Sequence, residues 1–247
     1  MKNRILHLKP VAYSDLNDEI LAYLNKYKSD NTEIEIRNLS RGPSHLEYLY
    51  YQAAAEAEIL QEIRQAERDG FAAAMISCFD DPGLFTAREI SQNLLVTAAA
   101  ESSVYLAAAL GDRFSVIVGR DKWIPQMRDL IARYGLRDKL ASFRSISLGV
   151  LELHRDKRET ASRIRHAIEN ALVLDKAEVI ILGCTMQYGF FEILQDEYKV
   201  PIIDSMLANL KYTEYLLEVK QKTGWTFSRR GMYERPPDKE MADWGLT

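Results

Sequence analysis

Residues 71–78, Phe-Ala-Ala-Ala-Met-Ile-Ser-Cys, and residues 177–184, Ala-Glu-Val-Ile-Ile-Leu-Gly-Cys, are two apolar runs, each ending on one of the only two cysteines in the chain. Short apolar runs bounded by polar turns read as buried strands. A shift of 106 residues, from Cys78 to Cys184, also lays Asp69 on Asp175 and Ile76 on Leu182. The same shift lays Leu94–Ala99 on Val200–Ser205, and a shift of 109 lays Arg4–Leu8 on Arg113–Ile117 and Ile34–Leu39 on Phe143–Leu148. The chain therefore reads as a duplication. A regular α/β chain offers some shifts of this kind without duplication, and the identities here are few.

Outward from the two cysteine runs, apolar strand-like segments alternate with stretches of helical period. Residues 4–8, 32–39, 94–100, 114–119, 143–148 and 200–205 are the other strand candidates. Between them, residues 15–27, 46–70, 124–136, 160–175, 190–199 and 207–224 carry helix-like spacing of apolar residues. Strands alternating with helices imply α/β architecture, with mostly parallel sheets covered by helices on both faces. The expectation is two pseudo-symmetric βαβ lobes facing each other across a cleft, the first made of residues 1–98 and 206–247 and the second of residues 99–205. Crossovers fall near Ala98 and Ser205, and no Gly-, Pro- or Ser-rich linker separates the halves. Beyond Gly224 the helical period is lost, and an aromatic, proline-bearing tail is expected to lie extended over a surface or in an interface of a homo-oligomer.

Composition narrows the function. The 247 residues are 47% hydrophobic, enough for one large core or two smaller ones. With 32 Lys+Arg against 36 Asp+Glu the net charge is -4, so no global positive field exists to recruit nucleic acid or an anionic membrane surface, and a small molecule is the expected partner. The apolar stretch near the N-terminus is too short for a signal-peptide core, and no later run approaches a membrane span, so a soluble, cytoplasmic protein is expected. The nucleotide signatures GxGxxG and GxxxxGK[ST], the metalloprotease HExxH, the redox CxxC and the hydrolase GxSxG are all missing. His7, His45, His154 and His166 are scattered without metal-ligand spacing, which favours surface or structural roles and an activity without metal or other cofactor.

Chemistry is left to the thiols. Cys78 precedes Phe79-Asp80-Asp81-Pro82-Gly83, and Cys184 precedes Thr185-Met186, so each stands where a strand end meets a turn. Ligands of α/β sheets gather at such ends. Backbone N–H groups of the turn are expected to favour thiolate and lower the pKa from about 8.5. The alternative for each cysteine alone is inert burial. Two equivalent positions in matching halves argue for pairing. Two thiols facing across a cleft suit inversion of a carbon acid: a thiolate removes a proton from one face and the opposite thiol returns one to the other.

The motifs Ser77-Cys-Phe-Asp-Asp-Pro-Gly-Leu84, Leu182-Gly-Cys-Thr-Met186, Val200-Pro-Ile-Ile-Asp204 and Asn38-Leu-Ser-Arg-Gly-Pro43 resemble the hydantoin racemase and allantoin racemase branch of the aspartate/glutamate racemase superfamily. The resemblance spans nearly the whole chain and implies that Cys78 and Cys184 are the acid–base pair of a cofactor-independent racemase or epimerase. Glu101, Arg120, Pro125 and Tyr134-Gly135-Leu136 also match segments of that family. One departure concerns the substrate: an Asn-Pro-Asn run followed by Thr or Ser is usual after the first strand, where this chain has Lys9-Pro10-Val11-Ala12-Tyr13-Ser14. The Thr185-Met186 pair also replaces the His or Glu that amino-acid racemases carry, which disfavours glutamate or aspartate. The expected pocket lining is Lys9, Pro10, Val11, Phe79, Asp80, Gly119, Thr185 and Met186, with Lys9 either meeting a carboxylate or solvated, and Asp80 either in the pocket or capping a backbone N–H. A decarboxylase or cis–trans isomerase using the same cleft, and a non-catalytic small-molecule-binding protein, are the rival readings.

Overall fold

The computed structural model describes residues 2–246, so residues 1 and 247 of the expected first lobe lie outside the described residues. The first half runs β1 (Asn3–Lys9), α1 (Asn17–Tyr27), β2 (Thr32–Asn38), α2 (Leu49–Arg68), β3 (Ala73–Ile76), α3 (Leu84–Ile90), β4 (Leu95–Ala98) and α4 (Ala99–Leu110). The second repeats that order as β5 (Phe114–Val118), α5 (Ile124–Arg133), β6 (Leu140–Ser145), α6 (Lys157–Val173), β7 (Val179–Leu182), α7 (Phe191–Tyr198), β8 (Ile202–Asp204) and α8 (Ser205–Thr223). Each half forms one four-stranded parallel sheet, with orders β2-β1-β3-β4 and β6-β5-β7-β8. The α/β expectation and its two matching sheets are met.

The pairing registers repeat with the topology. Ile5 pairs with Ala73 and Phe114 with Val179, while Ala74 pairs with Val96 and Ile180 with Ile202. These are the partners that the shifts of 109 and 106 require. The edge strand departs from expectation. Leu6 pairs with Glu35 and Ser115 with Ser142, so β2 maps onto β6 by 107 residues instead of 109. From Ser115 onward this slip of two keeps each side chain on its own face, which is why the apolar pattern tolerates it, and an irregularity between Phe114 and Ser115 separates that stretch from the Phe114–Leu140 pair. β6 also begins and ends three residues earlier than read, because Ser147 turns into the left-handed region at φ 54°.

Strands β3, β4, β5, β7 and β8 are buried along their whole length because helices cover both faces of each sheet, leaving no solvated face to demand alternation. In the first half α2 and α3 pack one face through Ile59, Ile63 and Leu84, and α1 packs the other through Ile20 and Leu24. In the second half α4 and α5 cover one face through Val104, Met127 and Ile131, and α6 and α7 the other through Ile164, Ile168 and Leu194.

The two last helices are exchanged. α4 follows the first sheet but packs Ala100, Val104 and Ala107 against Phe114, Val116 and Ile181 of the second. α8 follows the second sheet but returns Met206, Leu210 and Leu217 to Ile5, Met75 and Leu95 of the first. Buried polar contacts fix the crossing: Asn209 on α8 receives the Thr97 hydroxyl (2.8 Å) and donates to the Ile76 carbonyl at the end of β3 (3.1 Å).

The tail is more structured than the lost periodicity implies. Arg229 donates to the carbonyls of Arg88 (2.7 Å) and Gln92 (3.0 Å), the Arg88 guanidinium lies over the Phe227 ring, and Asp238–Asp243 forms a short helix, α9, that buries Met241. No helix among the described residues is long and apolar enough to cross a membrane.

Candidate active site

The carboxyl ends of β3 and β7 open into one cavity of about 600 Å³. Cys78 and Cys184 both line it, and both are free and half-buried. Their turns match. The Asp81 N–H donates to the Cys78 carbonyl (3.1 Å) and the Gln187 N–H to the Cys184 carbonyl (2.8 Å). The two strand ends are also tied directly, since the buried Thr185 hydroxyl donates to the Ser77 carbonyl at 3.1 Å. Gly183 lets β7 lie against β5, because a Cβ there would stand 2.5 Å from a Val116 methyl.

The expected lowering of the thiol pKa is overturned. Burial pushes the Cys78 thiol well above its usual range, with the charges of Asp80, Cys184 and Asp81 adding to the rise and the Asp80 backbone N–H pulling it back. Burial pushes Cys184 up to about 12, against a smaller opposing pull from the Met186 N–H. The turn amides are placed as anticipated. Desolvation of an anion outweighs them in the resting site.

Of the expected lining residues, Lys9, Pro10, Val11, Phe79, Asp80, Thr185 and Met186 border the cavity with the two cysteines. Gly119 does not. A Cβ there would stand 2.6 Å from the Leu148 carbonyl oxygen and from the Trp123 ring, so its contribution is to let Trp123 reach the cavity wall. Lys9 is no solvated lysine: it is 5% exposed, burial lowers its pKa to about 8, and its ammonium donates to the Ser14 hydroxyl and to Asn17 Oδ1 (3.2 Å).

Asp80 faces the cavity instead of capping. Its Oδ2 accepts from Gln52 (2.8 Å), whose own oxygen accepts from Gln126 on α5 (2.5 Å), a chain that joins the halves. Burial raises the Asp80 pKa to about 7. Capping falls to its neighbour. Asp81 accepts from the first-turn amides of α4 at Ala100 (2.7 Å) and Glu101 (2.8 Å) and from the Tyr134 hydroxyl (2.6 Å). Glu101 in turn makes a buried two-pronged pair with Arg88 (2.7 and 2.5 Å). Tyr134 and Glu101 thus hold the turn after Cys78 without touching the cavity.

Sequence reasoning missed His45, Glu47, Trp123 and His154, which all border the cavity. Glu47 accepts from the Val150 N–H (3.3 Å) and lies 3.7 Å from Arg120, bridging the rim between the halves. His154 Nε2 lies 2.7 Å from the Met186 carbonyl, so that nitrogen carries the proton, and the ring stacks on Tyr188 at 4.7 Å. It supports the turn after Cys184. No sequence spacing relates these residues to the cysteines, although the aromatic-rich stretch after Pro43 is one visible mark. Among the described residues no group of three or more His, Cys, Asp or Glu is placed to hold a metal ion.

Fold and site together define a duplicated parallel α/β protein with a two-thiol cleft between matching sheets. The sequence profile of the Asp/Glu/Hydantoin racemase family matches residues 5–213, and the chain belongs to that family. The hydantoin racemase of Pseudomonas sp. (strain NS671) is 33% identical over 210 residues, 85% of this chain and 82% of that protein. The hydantoin racemase of Paenarthrobacter aurescens is 29% identical over 238 residues, 96% of this chain and 99% of that protein. Among solved structures, the allantoin racemase from Klebsiella pneumoniae matches with a TM-score of 0.87 and 28% identity, over 95% of this chain and 94% of its own.

Proposed function

We propose that this chain inverts the configuration of a carbon acid next to a carbonyl in a five-membered cyclic ureide of the hydantoin type, with Cys78 and Cys184 as the acid–base pair and without metal or organic cofactor. The observation that carries the reading is the opening of both thiols, from equivalent strand ends, into one cavity. Residues 1–98 with 206–247 form one lobe in this reading and residues 99–205 the other, and the exchange of α4 and α8 across the sheets supports that division.

One cysteine, as thiolate, takes the proton from the ring carbon. The electron pair left behind delocalises onto the neighbouring carbonyl, giving an enolate, and in this reading backbone N–H groups of the turns after Cys78 and Cys184 stabilise it. The opposite thiol then delivers its proton to the other face. The two cysteines end the turnover with their protonation states exchanged, so the reverse reaction starts from the product state. A thiolate whose acid form has been pushed to about 12 is rare. Once formed, it is a stronger base towards carbon than an unperturbed one, which suits a weak carbon acid.

The test is solvent exchange by NMR in deuterated water on separately supplied enantiomers. Wild type should deuterate and racemise both. Cys78→Ala and Cys184→Ala should each abolish inversion while still exchanging one enantiomer, and opposite ones, because each remaining thiol reaches one face. Racemisation by either variant at the wild-type rate would end the pairing argument. Release of carbon dioxide with dependence on a single cysteine would mark a decarboxylase, and no exchange by wild type would favour a binding protein.

A further inference from the structure

Lys9 is a buried charged group of the cavity with no place in the reaction just described. It ends β1 and is level with Ser77, since Leu8 pairs with Ile76, and its ammonium is held at the start of α1 by Ser14 and Asn17. There it lies among Ser14, Asn17 and Asn38, with the Asn17 amide donating to Asn38 Oδ1 at 2.7 Å. An ammonium has three N–H donors. Ser14 and Asn17 take two, and both are neutral. The exposed Asp15 attracts Lys9 through space without a hydrogen bond. A buried cation without a hydrogen-bonded carboxylate is costly, and a ligand anion offsets that cost.

The surroundings favour an anion at that end. The 11-residue helix α1 begins beside Lys9, and the Asp18 and Glu19 carboxylates of its first turn offset its positive dipole end, which leaves the Lys9 ammonium as the group that attracts an anion there. The other acids bordering the cavity are engaged elsewhere: Glu47 with Val150 and near Arg120, and Asp80 with Gln52 on the thiol side. Val11, Leu16, Ile20 and Met206 contribute apolar wall to the same cavity.

We propose that Lys9, with Ser14 and the start of α1, is a specificity site for a carboxylate at the end of a short substituent on the substrate ring, so that the preferred substrates are hydantoins with an acidic side chain. This deepens the racemase reading and rests on it. In this pose the ring carbon sits between the thiols and the carboxylate takes the third N–H of Lys9. A charge-assisted hydrogen bond of this kind changes affinity by about tenfold or more.

The probes are hydantoin-5-acetic acid and 5-isobutylhydantoin, the second neutral and of similar bulk, with the full-length protein at neutral pH. Binding is measured by calorimetry and racemisation by polarimetry. Wild type should favour the acid by about tenfold or more in Kd and in kcat/KM, mainly through KM. Lys9→Met should collapse that preference to near one or reverse it, and Lys9→Arg should restore part of it. Equal or better use of the neutral hydantoin by wild type overturns the proposal. So does a Lys9→Met variant that loses both ligands in equal proportion, which marks Lys9 as a support of the first loop. Lys9-dependent binding of the acid without turnover of either ring would uphold the site and sink the racemase reading.

Discussion

The raised thiol pKa makes a prediction that runs against the usual picture of a reactive cysteine. Alkylation of Cys184 by iodoacetamide, followed by mass spectrometry in the Cys78→Ala variant, isolates one group. Its pKa is pushed from 9.0 to about 12 by burial, so at neutral pH the thiolate fraction is smaller than that of a free thiol by about a thousandfold. Part of this is returned. Nucleophilicity rises with basicity at a Brønsted slope of about 0.4–0.5, which recovers about 15- to 30-fold. The net expectation is alkylation about 30- to 60-fold slower than in the denatured chain. Because access to the cavity also affects the absolute rate, the pH profile is the sharper readout. The folded protein should gain close to tenfold per pH unit through about pH 10, whereas the denatured control levels off near 9. A plateau below about pH 8 in the folded, unliganded protein would refute the reasoning, because it requires a thiolate stabilised at rest.

Two stability predictions accompany it. His7 is buried in β1 with no hydrogen-bond partner for either ring nitrogen among the described residues, and burial lowers its pKa to about 3, so the unfolded chain binds the proton first as pH falls below 6.5. The stabilisation is therefore complete above about 6.5 and lost towards about 3, at roughly 1.4 kcal/mol per pH unit, and denaturant melts of His7→Leu should show a shallower acid limb than wild type. An unchanged limb would assign the acid loss to other groups. Arg88→Met strands the buried Glu101 carboxylate and removes the cation over Phe227, so unfolding should cost about 3–5 kcal/mol less and Tm should fall by about 6–20 °C in calorimetry. A fall under about 2 °C would mean that the pair is dispensable.

What the sequence discloses depends on how local the cause is. Strand and helix rhythm is local, and the duplication was readable because each half carries a cysteine two residues beyond its third strand, giving a shared origin for the shift. The slip in β6 was not readable, because a displacement of two residues preserves the apolar pattern, and the turn at Ser147 that ends the strand has no glycine to announce it. Asp80 and Asp81 are chemically identical neighbours, and only the path of the chain sends one to the cavity and the other to the amides of α4. His45, Glu47 and His154 reach the site from loops whose approach is set by how the halves pack. The direction of the thiol shift was missed for a related reason. The turn amides are visible in sequence, whereas desolvation depends on everything around them.

The duplication also explains how one cavity can serve both inversion and recognition. In the proposed reaction inversion asks for the same chemistry on two opposite faces of one carbon, and the matching strand ends, each followed by a turn closed three residues after its cysteine, are what that reading draws on. Recognition asks for the reverse, since a ring held equally well in two orientations would not keep its reacting carbon between the thiols. The halves differ where the first strand of each sheet ends. By the shift of 109 the segment beginning at Lys9 corresponds to that beginning at Val118. The first half places a buried ammonium there, whereas the second places Gly119 and brings Trp123 to the wall. Equivalent positions of the two halves thus give the cavity a buried ammonium from one and an aromatic ring from the other. In the proposed reaction the conserved geometry of the two halves moves the proton, and their divergence at this loop fixes the pose in which it moves.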